Sequence, residues 1–173
     1  MTNQTSASPS RRTGQATLVL IKPDALQRGL AGAVLSRLEP LKLDIIGAKV
    51  VRLSQELAEE HYKSIKDKPF FRETVEHLQG TRHGMGYVLA FVFWGPDAIE
   101  RVRQVTGATN PEKADPMTIR GALGRNLSSG LMENVLHASS APAEAQREIA
   151  MWFKPEELLR DLSAASPSAV RQR

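Results

Sequence analysis

The chain has 173 residues, 41% of them hydrophobic and 24% charged, with no cysteine and a formal charge of +4. That is one domain's worth of chain, able to bury about two thirds of its unfolded surface. It has no means of making disulfides or thiolate metal sites, and its longest apolar run, Tyr87 to Trp94, falls far short of the roughly 20 residues that span a bilayer.

In chain order, residues 1–15 mix Ser, Thr, Pro, Ala and Arg without apolar period and are expected to be a disordered tail. Ala16 to Ile21 is a short continuous apolar run, the pattern of a central strand. Leu30, Val34 and Leu38 recur at helical spacing before Pro40, and Ile45 to Leu53 reads as a strand. Helices are expected over Gln55 to Ile65 and Pro69 to Leu78, then a strand over Gly86 to Trp94. Pro96-Asp97 opens a helix to Thr106. A loop, Gly107 to Asp115, leads to a helical turn at Met117 to Gly121, a strand over Met132 to Leu136 and a last helix from Pro142 to Phe153. Residues 163–173 form a second expected disordered tail, leaving one domain over 16–162. The alternation predicts an α/β fold: a ferredoxin-like antiparallel sheet of about four strands, with helices packed around it and on one face.

The charge is not spread evenly. Arg11, Arg12, Arg171 and Arg173 lie in the acid-free stretches 1–14 and 163–173, and removing them from the 23 basic residues leaves the body neutral against 19 acidic ones. A neutral body argues against nucleic-acid binding. The N-terminal stretch has neither an apolar h-region nor an amphipathic Arg pattern, so a cytoplasmic location is expected.

Several polar residues stand out against this frame. His137 follows a short apolar run and precedes Ser, Ser and Pro, which reads as the start of a helix, where the local field favours a neutral imidazole and any phosphate attached to it. A neutral imidazole with one free nitrogen is a nucleophile. Arg103 and Glu148 fall on stripes that should be apolar, and a charge there must be paired or face a cleft. Glu148 lies on the helix that His137 introduces, where it can hold one imidazole nitrogen and leave the other to attack. Lys22 ends the first strand, and Thr109, Thr118 and Arg120 add hydroxyls and a guanidinium fork, a phosphate-binding chemistry spread over several loops. No Walker-type or dinucleotide glycine motif occurs. His61, His77 and His83 lack sequence spacing or carboxylate neighbours suited to a metal and are expected to be surface or structural.

The segments Ala16 to Asp24, Gln27 to Gly29, Glu60 to Tyr62, Lys66 to Phe71, Gly107 to Pro111, Thr118 to Gly121, Glu133 to His137, and Glu148-Ile149 with Trp152-Phe153 together resemble the nucleoside diphosphate kinase family. The resemblance implies ping-pong phosphoryl transfer, with His137 taking the γ-phosphate of a nucleoside triphosphate and Glu148 orienting it. It places Lys22, Tyr62, Arg103, Thr109 and Arg120 on the phosphates and transferring group, Asn134 with Lys22 on the ribose, and Phe70 and Leu131 on either side of the base. Mg²⁺ would arrive on the nucleotide, no metal being held by the protein alone, and a hexamer or tetramer built from dimers is implied.

The chain departs from the family pattern after His137, where Ala-Ser-Ser replaces Gly-Ser-Asp and Ser140 takes the place of the acid. The interval from Arg120 to His137 is about four residues longer than usual. That from Phe71 to Ala90 is longer by about five, which is expected to be a surface elaboration near residues 80–86. A catalytically weak nucleotide sensor or a nucleic-acid-binding relative are the rival readings.

Overall fold

The structure, a computed structural model, describes residues 14–162, so the expected tails 1–15 and 163–173 lie outside the described residues except at 14–15, where Gln15 already opens the first strand. The elements run β1 (Gln15–Ile21), α1 (Pro23–Gln27), α2 (Ala31–Leu38), β2 (Asp44–Val51), α3 (Gln55–His61), α4 (Phe71–Gln79), β3 (Val88–Gly95) and α5 (Ala98–Thr106). Then follow α6 (Ile119–Leu123), β4 (Arg125–Asn126), β5 (Met132–Glu133), β6 (Leu136–Ala138) and α7 (Pro142–Trp152).

Four strands form an antiparallel sheet in the order β2-β3-β1-β6, and β4 pairs with β5 in a separate two-stranded ribbon. The unbroken apolar run of β1 is explained by burial on both sides: Leu18, Val19, Leu20 and Ile21 are all 0% exposed. Because side chains alternate across a strand, Leu18 and Leu20 face one layer and Val19 and Ile21 the other. The first layer packs Ala58 of α3, Val75 and Leu78 of α4, and Ile149 and Trp152 of α7 against the sheet. The second packs Ala25 of α1, Val34 and Leu38 of α2, Val102 of α5 and Ile119 of α6. Helices therefore cover both faces, not the one face expected. The mixed pattern of a two-sided sheet has no amphipathic alternation to reveal this.

Three local differences bear on function. The short helix α1 directly after Lys22 was not expected. Too short to show a helical period, it is signalled only by Pro at its first position. The single strand expected over Met132 to Leu136 is two: β5 pairs with β4, and β6 pairs with β1. Between them Val135 adopts φ 71, a left-handed conformation that costs a β-branched residue on the order of 1–3 kcal/mol. His137 is consequently not at a helix start. It lies within β6, and Pro142 begins α7 only five positions later, so the helix-field argument does not apply to it.

Candidate active site

Parity along β6 aims the histidine. Leu136 and Ala138 bury into the second layer, so His137 between them projects toward the first. Its ladder partner is Leu20, and two positions on, Lys22 leaves β1 in extended conformation with the same parity.

The His137 side chain is 19% exposed, open to a ligand yet held. Its Nε2 lies 3.0 Å from Oε2 of Glu148. The same oxygen accepts the Ser139 hydroxyl at 2.7 Å, and Ser139 Oγ in turn accepts Leu18 N–H at 3.1 Å. A carboxylate only accepts, so Nε2 carries the hydrogen and Nδ1 keeps its lone pair. Burial opposes ionisation of Glu148. The hydrogen bonds and charge of His137, with Ser139 and Arg147, outweigh it and hold the carboxyl below its ordinary pKa. Ser140, standing where the family has an acid, donates to the Glu144 carboxylate on the first turn of α7, so a carboxylate is nearby after all.

His61 is the residue that sequence reasoning passed over. It is buried on α3, and its ring meets His137 edge-on with centroids 4.4 Å apart. Its Nδ1 accepts the Trp152 indole N–H at 3.2 Å, so its own hydrogen sits on Nε2. Ligand atoms of His61, His137 and Glu148 lie within 4.8 Å of one another. The lone pair on His61 Nδ1 is nevertheless committed to Trp152, and His137 Nε2 is committed to Glu148, so the trio is no ready metal centre. The signal was its spacing: His61 falls three residues after buried Ala58, on the core face.

Burial, then the charges of His137, Lys22 and Arg147, push the His61 pKa well below its ordinary 6.5. An unfolded chain therefore takes up this proton first as pH falls below about 6.5. The stabilisation is complete above that value and declines toward the lower folded pKa. Thermal denaturation is expected to show a midpoint that drops between pH 7.5 and 5.5; a flat profile over that range would contradict a neutral, buried His61.

A second group of side chains gathers around Asn134, with Lys22 reaching in from the end of β1 and Arg120 from the other layer. Lys22 Nζ donates to Asn134 Oδ1 at 2.8 Å, and Asn134 Nδ2 donates to the Thr109 carbonyl at 3.1 Å. Arg120, on α6, spreads its guanidinium over three carbonyls: Gly107 at 3.1 Å, Asn134 at 3.3 Å and Leu136 at 2.8 Å. Thr118 caps that helix by accepting Gly121 N–H. Gly107 must be glycine: its φ is 85, and a Cβ there would collide with Thr118 Oγ1. Burial draws the Arg120 pKa down to about 10, so the cation persists at neutral pH.

The structure thus joins Lys22, Thr109, Arg120, Asn134, His137 and Glu148. Tyr62 lies against His61, with ring centroids 4.8 Å apart. Arg103 departs from expectation: it is exposed, because the buried stripe of α5 runs through Ala98, Ile99, Val102 and Thr106. It stands at the rim, beside a ≈ 600 Å³ recess that also touches Gly107 and Ser140 but not His137 or Lys22. Phe70 is 50% exposed at the start of α4, whereas Leu131 is only 8% exposed and offers a ligand little surface. The other two histidines are buried, the structural alternative of the two expected. His77 lies 3.3 Å from Asp24 and His83 lies 3.1 Å from Glu133, carboxylate neighbours that are distant in sequence. The lengthened segment near 80–86 is likewise no mere surface elaboration, since it buries His83.

A profile of the family described as nucleoside diphosphate kinase matches residues 15–158. The chain is similar to the nucleoside diphosphate kinase of Symbiobacterium thermophilum, 47% identical over 137 residues that cover 79% of this chain and 85% of that protein. With that of Pyrococcus horikoshii it shares 44% over 149 residues, covering 86% and 91%. Among solved structures it is similar to the Borrelia burgdorferi enzyme described as a transition state mimic with bound vanadate and ADP: TM-score 0.77, 35% identity, covering 86% of this chain and 92% of that one. It also resembles the Halobacterium salinarum enzyme in complex with CDP, with TM-score 0.75, 42% identity and coverage of 87% and 96%. These likenesses extend over the strands and helices that hold His137, and the chain belongs to the nucleoside diphosphate kinase family.

Proposed function

We propose that Nδ1 of His137 is the atom that carries the phosphoryl group in the reaction of this nucleoside diphosphate kinase. The observation behind this is the 3.0 Å contact from Nε2 to Glu148, which commits one ring nitrogen and frees the other. The Nδ1 lone pair forms a bond to the γ-phosphorus as the bridging oxygen departs on the diphosphate. A second nucleoside diphosphate then attacks that phosphorus with a terminal oxygen, and the N–P electrons return to the ring. The vanadate and ADP named for the Borrelia relative, described as a transition state mimic, support a pentacoordinate phosphorus in the transfer step.

The surrounding groups position and neutralise, which is most of what phosphoryl transfer requires. Lys22 and Arg120 face the transferring group with Tyr62, while Arg103 and Thr109 reach the outer phosphates. Asn134 and Lys22, already hydrogen-bonded, take the ribose hydroxyls. Phe70 stacks on the base, with Leu131 as the less accessible wall; stacking without edge readout tolerates every common base. The lining is cationic, and the Glu148 carboxylate is engaged by His137 and Ser139. Mg²⁺ would therefore come with the nucleotide substrate, where it would supply positive charge against the phosphates beside Lys22 and Arg120. A homo-oligomer, hexamer or tetramer, working in the cytoplasm is part of this reading. Among the described residues no helix is long and apolar enough to cross a membrane.

Incubation with γ-labelled ATP is the test. The protein is expected to take up label that is lost in acid, survives base and is discharged by any unlabelled nucleoside diphosphate. A chain that binds ATP yet takes up no label would instead be a silent sensor of nucleotides. Binding to nucleic acid with a steep salt dependence and no label would favour the other rival.

A further inference from the structure

Beneath the cleft lie four buried groups without a place in that reaction: Asp24, His77, His83 and Glu133. They form a chain. Arg125 Nε donates to Glu133 Oε2 at 2.5 Å, and Glu133 Oε1 lies 3.1 Å from His83 Nε2. The His83 ring meets His77 edge-on at 4.9 Å. His77 Nε2 stands 3.3 Å from Asp24 Oδ1, too far off line for a full hydrogen bond. Asp24 Oδ2 accepts the N–H of Val135 at 2.9 Å.

That last bond reaches the strained residue. Leu136 N–H closes back on the Asn134 carbonyl at 2.8 Å, so Val135 is the middle of a tight three-residue turn. The Val135 carbonyl accepts Lys22 N–H at 2.9 Å, and Arg120 holds the carbonyls on either side of it. Asn134 and His137 flank the turn. Nothing in the backbone preference of valine keeps it there; the Asp24 carboxylate does, together with the Lys22 N–H and the Arg120 guanidinium. Both stretches that are longer than the family pattern feed the chain, one through His83 and the other through Arg125.

We propose that His77 is a positioning residue for phosphoryl transfer, acting through Asp24 on the Val135 turn, with His83, Glu133 and Arg125 bracing it from outside. The proposal rests on Lys22, Asn134 and His137 being the working groups. Burial opposes the charge on Asp24, but His77, Lys22 and the Val135 N–H together hold its pKa below the ordinary value. Burial keeps His77 below its own ordinary value, so it faces the Asp24 carboxylate as a neutral, polar ring. The charged or titratable groups that act on Asp24, or feel it, are Lys22, His77, Arg120, Arg125 and Glu133; those acting on His77 are Asp24, Lys22 and His83.

The test compares His77→Phe, which fills the space without a donor, with His77→Gln, which restores an N–H. At saturating nucleotides the Phe variant is expected to lose about 10- to 100-fold in kcat, as small misplacements of reacting groups do, with KM nearly unchanged. The acid limb of its kcat profile should move to higher pH, because Asp24 loses a partner that favours its charged form. The Gln variant should recover most of the loss. Equal losses in both variants, or a Phe variant with normal kcat and an unmoved acid limb, would overturn the proposal. Should His77→Phe not fold, Arg125→Gln reads the chain from its outer end. A few-fold fall in kcat at constant KM supports the proposal, and a change confined to KM refutes it. Wild-type protein that takes no label from ATP would fail the kinase reading instead, so the two failures are separable.

Discussion

Replacing His137 by alanine is expected to abolish base-stable, acid-labile labelling and to lower kcat on the order of 10⁴- to 10⁶-fold, since the variant loses its only covalent carrier. Nucleotide affinity should change little. On the proposed assignment the phosphate-facing cations are Lys22 and Arg120, and their partners Asn134, Gly107 and Leu136 are untouched by the change. The fold should survive as well, because the side chain is partly exposed and its neighbours Leu136 and Ala138 supply the packing of β6. Glu148 keeps its bond from Ser139. Rapid-quench labelling beside equilibrium nucleotide binding separates the two effects. Substantial turnover in the variant would mean direct transfer between nucleotides and would sink the two-step scheme.

Arg120→Lys is expected to produce the second largest change, although the charge is conserved. A lysine ammonium is a point donor on a flexible stem and cannot span three carbonyls as the planar guanidinium does. With two of the three bonds lost, the fold should lose about 3 kcal/mol, visible as a lower denaturation midpoint. Turnover should fall about 10²- to 10³-fold, the usual cost of removing an oriented charge from a transition state. The stability effect follows from where the residue sits: the guanidinium ties the Gly107 loop to the backbone on both sides of Val135. A variant with unchanged stability and unchanged kcat would show that Arg120 neither braces that backbone nor meets the phosphoryl group.

The parts of the fold that were legible in the sequence are those with a strong local period. β1 and β3 announced themselves as apolar runs, α2 by Leu30, Val34 and Leu38, and α7 by its Pro start and the stripe carrying Glu148 and Trp152. The Glu148–His137 contact was readable because a carboxylate on an apolar stripe needs a partner. What escaped were features made by distant contacts. His77 and His83 looked solitary because Asp24 lies 53 and Glu133 50 residues away along the chain. The position of His137 was misread because β6 has only three residues, too few to display alternation, while Ser139, Ser140 and Pro142 imitate a helix start. Arg103 was misjudged by one position on α5, which turns a buried stripe into a rim.

The separation of the core into two layers has a consequence for how damage spreads. The side chains that hold the His137 ring, Glu148 directly and Trp152 through His61, grow from the layer of α3 and α7, while Arg120 grows from that of α5 and α6. Loosening the former should spoil timing at the reacting nitrogen yet spare retention of nucleotide; loosening the latter should release nucleotide from a ring still correctly turned. A survey of destabilised variants would accordingly sort into two phenotypes, with residues of the shared β1 strand belonging to both.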